Sequence, residues 1–333
     1  MTENKMLLPS DKKRSRLIKI NAKTNPNYGC NPKEKSINDL LDCGAIILDK
    51  PSGPTSHQVD SWIRKIFEIE KVGHGGTLDP NATGVLPIAV GRATRLLQCL
   101  LPGGKEYVAL MELHKDKNAK EIKEACMSFV GGIKQTPPVR SAVKRVRRKR
   151  EIYYLKILQI KDRDVLFRVG CESGTYIRTL CVDIGRKLKC GAHLSELRRT
   201  RVALLNESDS VFLHDLKDAF VLYNEEKDDS ELRLLLNPVE RLLDHLPKII
   251  IRDSAVDALC HGANLAIPGV VEVDSDIKKD DLAAVLTLKG EGVALVNSLM
   301  STEQIIERDA GICANLERVI MKKGTYPPIW KKT

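Results

Sequence analysis

The stretch Gly73-His74-Gly75-Gly76-Thr77-Leu78-Asp79-Pro80-Asn81-Ala82-Thr83-Gly84 decides how the chain is read. Its glycines let a backbone or a ligand approach closely. Pro80 pushes Asp79 away from helical geometry and towards an extended one. The glycines lack the spacing of a dinucleotide-binding turn, and they follow a helical pattern instead of a strand. Gly104-Lys105 is no better as a phosphate loop, since no Ser or Thr follows and the earlier glycine is missing. What remains is one aspartate presented by a glycine-rich loop. An Asp–Pro pair alone is an ordinary turn starter, so its surroundings must decide between structure and chemistry.

Working upstream, Thr55 and Gln58 form a capping-box signature, with Val59, Trp62, Ile63 and Ile66 following at helical spacing. This helix is expected to end before Gly73. The apolar run 45–48 reads as a buried strand that stops at Pro51-Ser52-Gly53-Pro54. Downstream, 85–90 reads as a strand and 93–100 as a short helix. Tyr107, Ala109, Met111 and Leu113 alternate as in a further strand. Ile122, Ala125, Cys126 and Phe129 mark a helix face, stopped by Gly131-Gly132. A hairpin is expected at 153–160 and 165–171. Ile177, Leu180, Cys181, Ile184 and Leu188 define the clearest helix, with Arg178 in its first turn and Gly191 closing it. The acidic stretch 225–231 reads as a solvated surface segment. After Pro247 the pattern changes to short strands, at 248–252, 283–288, 292–296 and 318–321, with Lys289-Gly290 turning one hairpin. The order implies an α+β fold with a mixed, mainly antiparallel sheet, not a parallel doubly wound one. The expected division is an arm at 1–38 without a core of its own, a larger domain at 39–246, and a small β-rich domain at 247–333.

The 333 residues carry 54 Lys and Arg against 44 Asp and Glu, a net charge of +10. The excess is concentrated at 140–150, where Arg140, Lys144, Arg145, Arg147, Arg148, Lys149 and Arg150 stand without an acidic residue. Falling between Pro137-Pro138 and the hairpin, this run is expected to be a projecting loop. With a second basic run at 12–23, it points to a polyanionic partner. Neither run has the pattern of a basic amphipathic helix, and charge alone leaves nucleic acid and an anionic membrane surface both open. No apolar run is long enough for a membrane-spanning helix, and the charged N-terminus argues against export. Nine dispersed cysteines without a CxxC pair, and histidines without HExxH or HxH spacing, imply no disulfide framework, no metal and a reducing cytoplasm.

The loop 73–84 resembles the catalytic signature of the TruB/dyskerin family of pseudouridine synthases. Further blocks agree in order: Leu48-Asp49-Lys50-Pro51 with Gly53-Pro54-Thr55-Ser56-His57, Gly104-Lys105-Glu106-Tyr107, Gly174-Thr175-Tyr176-Ile177-Arg178-Thr179-Leu180, and the run 191–201 ending Arg198-Arg199-Thr200-Arg201. The blocks 137–145 and 261–269 resemble the guide-RNA-dependent branch, and the C-terminal part resembles a PUA domain. The match departs at Val202-Ala203-Leu204, where a Ser-Gly-Pro/Phe-like stretch is expected, and at Thr136, where arginine is common.

The resemblance implies that the larger domain, 39–246, is a catalytic pseudouridine synthase domain, joined to a β-barrel-like PUA domain on which the arm is partly packed. It implies isomerisation of uridine in rRNA directed by an H/ACA guide RNA, and in the tRNA T-loop, without a cofactor. Asp79 matches the catalytic aspartate, either as nucleophile or as an aid to glycosidic cleavage. Tyr107 matches the tyrosine that packs on the flipped base, Arg178 the arginine paired with the aspartate, and Leu197 the apolar residue beneath the base. His74 and Lys50 fall in RNA-binding motifs. Arg140, Lys144, Arg145, Arg147 and Arg148 match a loop that grips substrate. Gly262 and Ala263 match the place where the PUA domain holds the end of a guide. The implied partners are a small Nop-type protein, a Gar-type protein and a kink-turn-binding ribosomal-type protein. The competing reading is a non-catalytic RNA-binding scaffold, which would have no need of Asp79, Tyr107 and Arg178 together.

Overall fold

The apolar run at 45–48 lies in β2 (Cys43–Lys50), which pairs antiparallel along its length with β4 (Thr83–Gly91). Successive residues of both strands enter different cores. Ile46, Leu48, Leu86 and Ile88 pack on one face with α2 (Ser56–Ile66) and α5 (Leu213–Glu226), while Ala45, Ile47, Val85 and Ala89 pack on the other. A strand covered on both sides must be apolar at every position, which is why these runs show no alternation. The computed structural model describes residues 6–137 and 146–328.

The larger sheet has ten strands in the order β11 (Asn237–Pro238), β2, β4, β9 (Ala192–Val202), β5 (Lys105–Leu113), β8 (Asp164–Cys171), β7 (Arg148–Lys161) and β6 (Gly131–Gln135). Two short strands join it at the side, β3 (Val72–His74) on β4 and β10 (Leu205–Asn206) on β9. All its pairings are antiparallel except β4 with β9. Helices α3 (Ala119–Met127) and α4 (Ile177–Lys187) cover β5 and β8 through Ile122, Cys126, Leu180 and Ile184. A second sheet of seven strands runs β1 (Arg16–Ile18), β14 (Val270–Asp274), β12 (Lys248–Ile251), β15 (Leu282–Thr287), β16 (Gly292–Ser298), β17 (Ile312–Val319) and β13 (Leu265–Ala266). The α+β class and mainly antiparallel pairing are those expected. The two sheets share a core in which Ile250, Leu286, Leu295 and Ile320 meet Ala45, Val85 and Leu96.

Several elements differ from the pattern reading. The segment 93–100 is a 3-10 helix, Arg92–Leu100. Gly131-Gly132 do not merely stop a helix; they begin β6, and β6 gives β7 a partner as far back as Arg148. Arg148, Lys149 and Arg150 are therefore strand residues and not loop residues. The last strand runs over 312–319 instead of 318–321. The acidic stretch spans the end of α5, a left-handed Lys227 (φ 62°) and the start of α6 (Ser230–Leu235). Helices α1 (Ile37–Asp42), α7 (Asp253–Cys260) and α8 (Thr302–Glu307) were not legible as periodic runs. At the departure 202–204, Ala203 adopts φ 52°, a conformation that glycine takes at no steric cost.

The N-terminal segment is held mainly by the second sheet. Its β1 pairs with β14, and Arg14 donates to Asp276 and to the His245 carbonyl, each at 3.0 Å. Asp253 accepts from the Asn25 amide (2.8 Å) and the Thr24 hydroxyl (3.1 Å). Asp11 reaches the other way and pairs with Arg201 on β9. Asp253→Ala removes both bonds to the segment, at a cost of ~1.5–3 kcal/mol for hydrogen bonds to a charged group. Limited proteolysis should then cleave within 20–28 at least about tenfold faster; an unchanged cleavage rate would show that other contacts hold this segment.

Candidate active site

Helix α2 begins at the capping box expected of it, with Gln58 N donating to Thr55 Oγ1 (3.1 Å) and Thr55 N to Gln58 Oε1 (2.8 Å). Its buried face is rotated from the apolar stripe, however. Val59 and Ile63 are fully buried, yet Trp62 is 41% exposed, while polar Ser56 and Asp60 turn inward. Those two polar groups hold the glycine-rich loop. Ser56 Oγ accepts from the Leu78 amide (3.0 Å), and Asp60 Oδ2 lies 2.6 Å from His74 Nδ1. His74 Nε2 in turn meets Thr77 Oγ1 at 3.0 Å. Leu78 itself plugs the core beneath α4.

Two buried cations complete the fastening. Lys50, with no exposure, donates to the carbonyls of Pro51 (2.7 Å), Pro80 (2.9 Å) and Ala82 (2.9 Å). Arg199, 1% exposed, donates to Val85 O (2.7 Å) and Gly76 O (2.9 Å). Burial lowers the pKa of each cation from its ordinary value, since the charged form is the one that loses water. Lys50 was expected to touch RNA; in this structure it is wholly buried. The side chain has no surface from which to do so, and it serves as the clasp of the Asp79 loop.

Sheet register then gathers the other residues. At the parallel junction Gly84 lies opposite Arg199, so close that a Cβ there would fall 2.2 Å from the Arg199 carbonyl oxygen. Gly84 also has φ +95°, and only glycine serves both demands. Across β5, Tyr107 pairs with Arg199 and Ala109 with Leu197. Tyr107 is buried, which pushes its phenol above the ordinary range while Arg199 pulls partly against that. Leu197 is half-buried against the same core. Arg178, in the first turn of α4, pairs with Asp79, and both side chains remain about half exposed (49% and 53%). Asp79, Tyr107, Arg178 and Leu197 are thus brought together by one loop, one helix start and two adjacent strands. The arrangement presents an open carboxylate and its guanidinium partner above a buried, mostly apolar floor.

The remaining expected residues lie apart from this cluster. Arg147 and Arg148 are exposed; Arg140, Lys144 and Arg145 fall outside the described residues. Gly262 and Ala263 are exposed and close α7, with Gly262 N donating to Leu259 O and Ala263 N to Ala258 O, both at 3.0 Å. Gly262 (φ +99°) is thereby explained as a helix-terminating glycine. His57, Asp60 and His74 place potential metal-ligating atoms within 4.8 Å of one another, a grouping that no linear spacing announces. The Asp60–His74 contact has hydrogen-bond length. Arg199 and Lys105 lay inside motif blocks without an assigned role, because nothing in a linear string reveals burial.

If Lys50 is a clasp, Lys50→Met removes a donor from three carbonyls, of which Pro80 O keeps the Gly53 amide. The melting temperature should fall by several degrees, equivalent to ~3 kcal/mol or more, with the salt dependence of RNA binding unchanged. A normal melting temperature with a shallower salt dependence would return Lys50 to the RNA interface.

Four family models match in series: "DKCLD (NUC011) domain" over 4–60, "TruB family pseudouridylate synthase (N terminal domain)" over 64–177, "tRNA pseudouridylate synthase B C-terminal domain" over 178–244 and "PUA domain" over 247–320. The chain is 52% identical to the probable tRNA pseudouridine synthase B of Methanopyrus kandleri, covering 97% of this chain and 96% of that protein. It is 49% identical to the protein of the same name from Pyrococcus furiosus, covering 99% and 98%. Among solved structures, it is similar to a chain of a Cbf5-Nop10-Gar1 complex (50% identity, TM-score 0.93, 96% and 98% covered). It is also similar to a chain of an H/ACA RNP bound to a substrate RNA containing 2′-deoxyuridine (47% identity, TM-score 0.92, 97% and 100% covered). The chain belongs to the TruB/dyskerin family of pseudouridine synthases and is a member that carries a C-terminal PUA domain.

Proposed function

We propose that this pseudouridine synthase acts as the catalytic subunit of a guide-directed H/ACA ribonucleoprotein, with uridines of rRNA as its substrates. The observation that carries the reading is the Asp79–Arg178 pair, set on a rigidly clasped loop beside Tyr107 and Leu197. Isomerisation breaks the bond from N1 to C1′ of the ribose and forms one from C5 to C1′. A proton leaves C5 and N1 gains one, so no electrons are exchanged with a cofactor. The Asp79 carboxylate is placed to attack the sugar or to stabilise positive charge developing on it. Tyr107 and Leu197 offer the base a flat aromatic face and an apolar floor. The uridine must first leave its stack, at a cost of a few kcal/mol, and the basic run at 140–150 is suited to offset that cost by holding phosphates.

Complexes that contain Nop10 and Gar1 are among the similar structures, and proteins of these two types, with a kink-turn-binding ribosomal-type protein, are the partners in this reading. The similar archaeal proteins are named for tRNA, which favours a second, guide-independent activity on the tRNA T-loop. Among the described residues no helix is long and apolar enough to cross a membrane. The nine cysteines are all free thiols, which suits a reducing compartment, and we place the protein in the cytoplasm.

The test is pseudouridine formation in a bare tRNA and in a guided rRNA fragment, using wild type and Asp79→Ala. Loss of product in Asp79→Ala with RNA affinity retained is expected. Dependence on added guide assigns the branch, and absence of product in both RNAs, with guide and partner proteins supplied, would leave only the scaffold reading. Neutralising Lys144, Arg145, Arg147 and Arg148 to Gln should weaken substrate capture and flatten its salt dependence, by roughly 0.7–0.9 log units for each phosphate no longer neutralised. The single-turnover rate at saturating RNA should barely change; a large fall there with affinity intact would place these residues in the chemistry instead.

A further inference from the structure

We propose that Lys105 is a positioning residue for the isomerisation, a buried ammonium set between the loop that leads into Asp79 and the turn that leads into the helix carrying Arg178. The proposal rests on the enzymatic reading above. Lys105 opens β5 two residues before Tyr107, so both side chains stand on the same face of the strand. It is 5% exposed. On one side its Nζ donates to Ser173 Oγ at 2.7 Å. Ser173 lies five residues before Arg178, in a turn closed by the Thr175 amide on the Glu172 carbonyl (3.2 Å), and its own hydroxyl donates to Leu101 O (2.8 Å). On the other side the stem lies against Gly76, three residues before Asp79. A Cβ on Gly76 would sit 3.2 Å from Lys105 Cε and 3.6 Å from Nζ.

The Asp79–Arg178 pair is too exposed to fix its own geometry, since pairs of that kind contribute little rigidity. Lys50, Arg199 and Ser56 tie the Asp79 loop to its neighbours but do not reach the Arg178 turn by any hydrogen bond among the described residues. Lys105 is bonded to the turn before α4 through Ser173 and passes close by Gly76 of the Asp79 loop. It also does so at a cost. The ammonium is buried with one hydrogen-bond partner, Ser173, and no carboxylate partner among the described residues. Its charged neighbour is the Arg199 guanidinium, which remains a cation, and the nearby Cys171 thiol is pushed up to about 12 by burial. Burial, with Arg199 adding to it, lowers the Lys105 ammonium to about 8. An apolar side chain of similar length would be the more stable occupant.

The experiment compares wild type, Lys105→Met and Ser173→Ala, each assembled with guide RNA and partner proteins on an RNA bearing the target uridine. Single-turnover rate, RNA affinity and melting temperature are measured between about pH 6 and about pH 9.5. Wild type should lose rate as pH rises through about 8, where the ammonium gives up its proton. Lys105→Met should be at least about tenfold slower at neutral pH and lack that alkaline limb, with affinity within about twofold and a melting temperature no lower than wild type. Ser173→Ala should be slowed less and keep the limb. A Lys105→Met protein with the wild-type rate overturns the proposal, as does one that keeps the limb. So does one whose rate falls together with its melting temperature, because that result marks a merely structural lysine. If wild type makes no pseudouridine at all, the enzymatic reading has failed and this inference with it, an outcome distinct from an active wild type matched by its variant.

Discussion

Positive charge held inside the protein by main-chain oxygens is the constraint around which this site is built. Lys50 and Arg199 are buried without a carboxylate in hydrogen-bond reach among the described residues, and five backbone carbonyls take the place of counter-ions. Desolvating an ammonium or a guanidinium costs several kcal/mol, so these carbonyls must converge or the cations cannot be buried. That requirement works in both directions. The cations fix the path of the loop over Gly76, Pro80 and Ala82, and the loop in turn makes the cations tolerable. Asp79 is therefore presented by a backbone that has little freedom, although its own side chain is open to solvent.

Much of the fold was legible because burial leaves a periodic trace. The capping box at Thr55, the alternation around Tyr107 and the apolar face of α4 each correspond to the element observed. The expectation that Asp79, Tyr107, Arg178 and Leu197 share a site came from another source, motifs whose order resembles a family; in the structure Asp79 pairs with Arg178, while Tyr107 and Leu197 stand on adjacent strands. Failures have physical causes. Trp62 fits a helical stripe, but α2 uses its inner face to hold the loop through Ser56 and Asp60, and a periodicity argument counts only apolar residues. Lys50 looks like a surface cation beside a ligand loop, because the carbonyls that satisfy it come from residues up to 32 positions away. The start of β7 was hidden by its charge, since a strand can be built from arginines when a neighbour supplies the ladder.

The two sheets do not act as separate bodies joined by a linker. Ile250, Leu286 and Leu295 of the second sheet complete the core under β2 and β4 of the first, and the N-terminal segment is bonded to both, through Asp11 to β9 and through β1 to β14. Any load on the small sheet is thereby transmitted to the strands that carry the Asp79 loop, through packed side chains that resist deformation.

Burying Lys105 has a thermodynamic consequence for the whole chain. A lysine at about 8 when folded, against its ordinary 10.5 when unfolded, binds fewer protons in the native state across that interval. Stability contributed through this group therefore rises as pH increases from about 8 to about 10.5 and is withheld below it, an amount on the order of 3 kcal/mol near neutrality. Calorimetry across that interval would read the slope directly, set against a Lys105→Met reference that lacks it. The protein thus forgoes stability at neutral pH in order to keep one charged side chain where two loops meet.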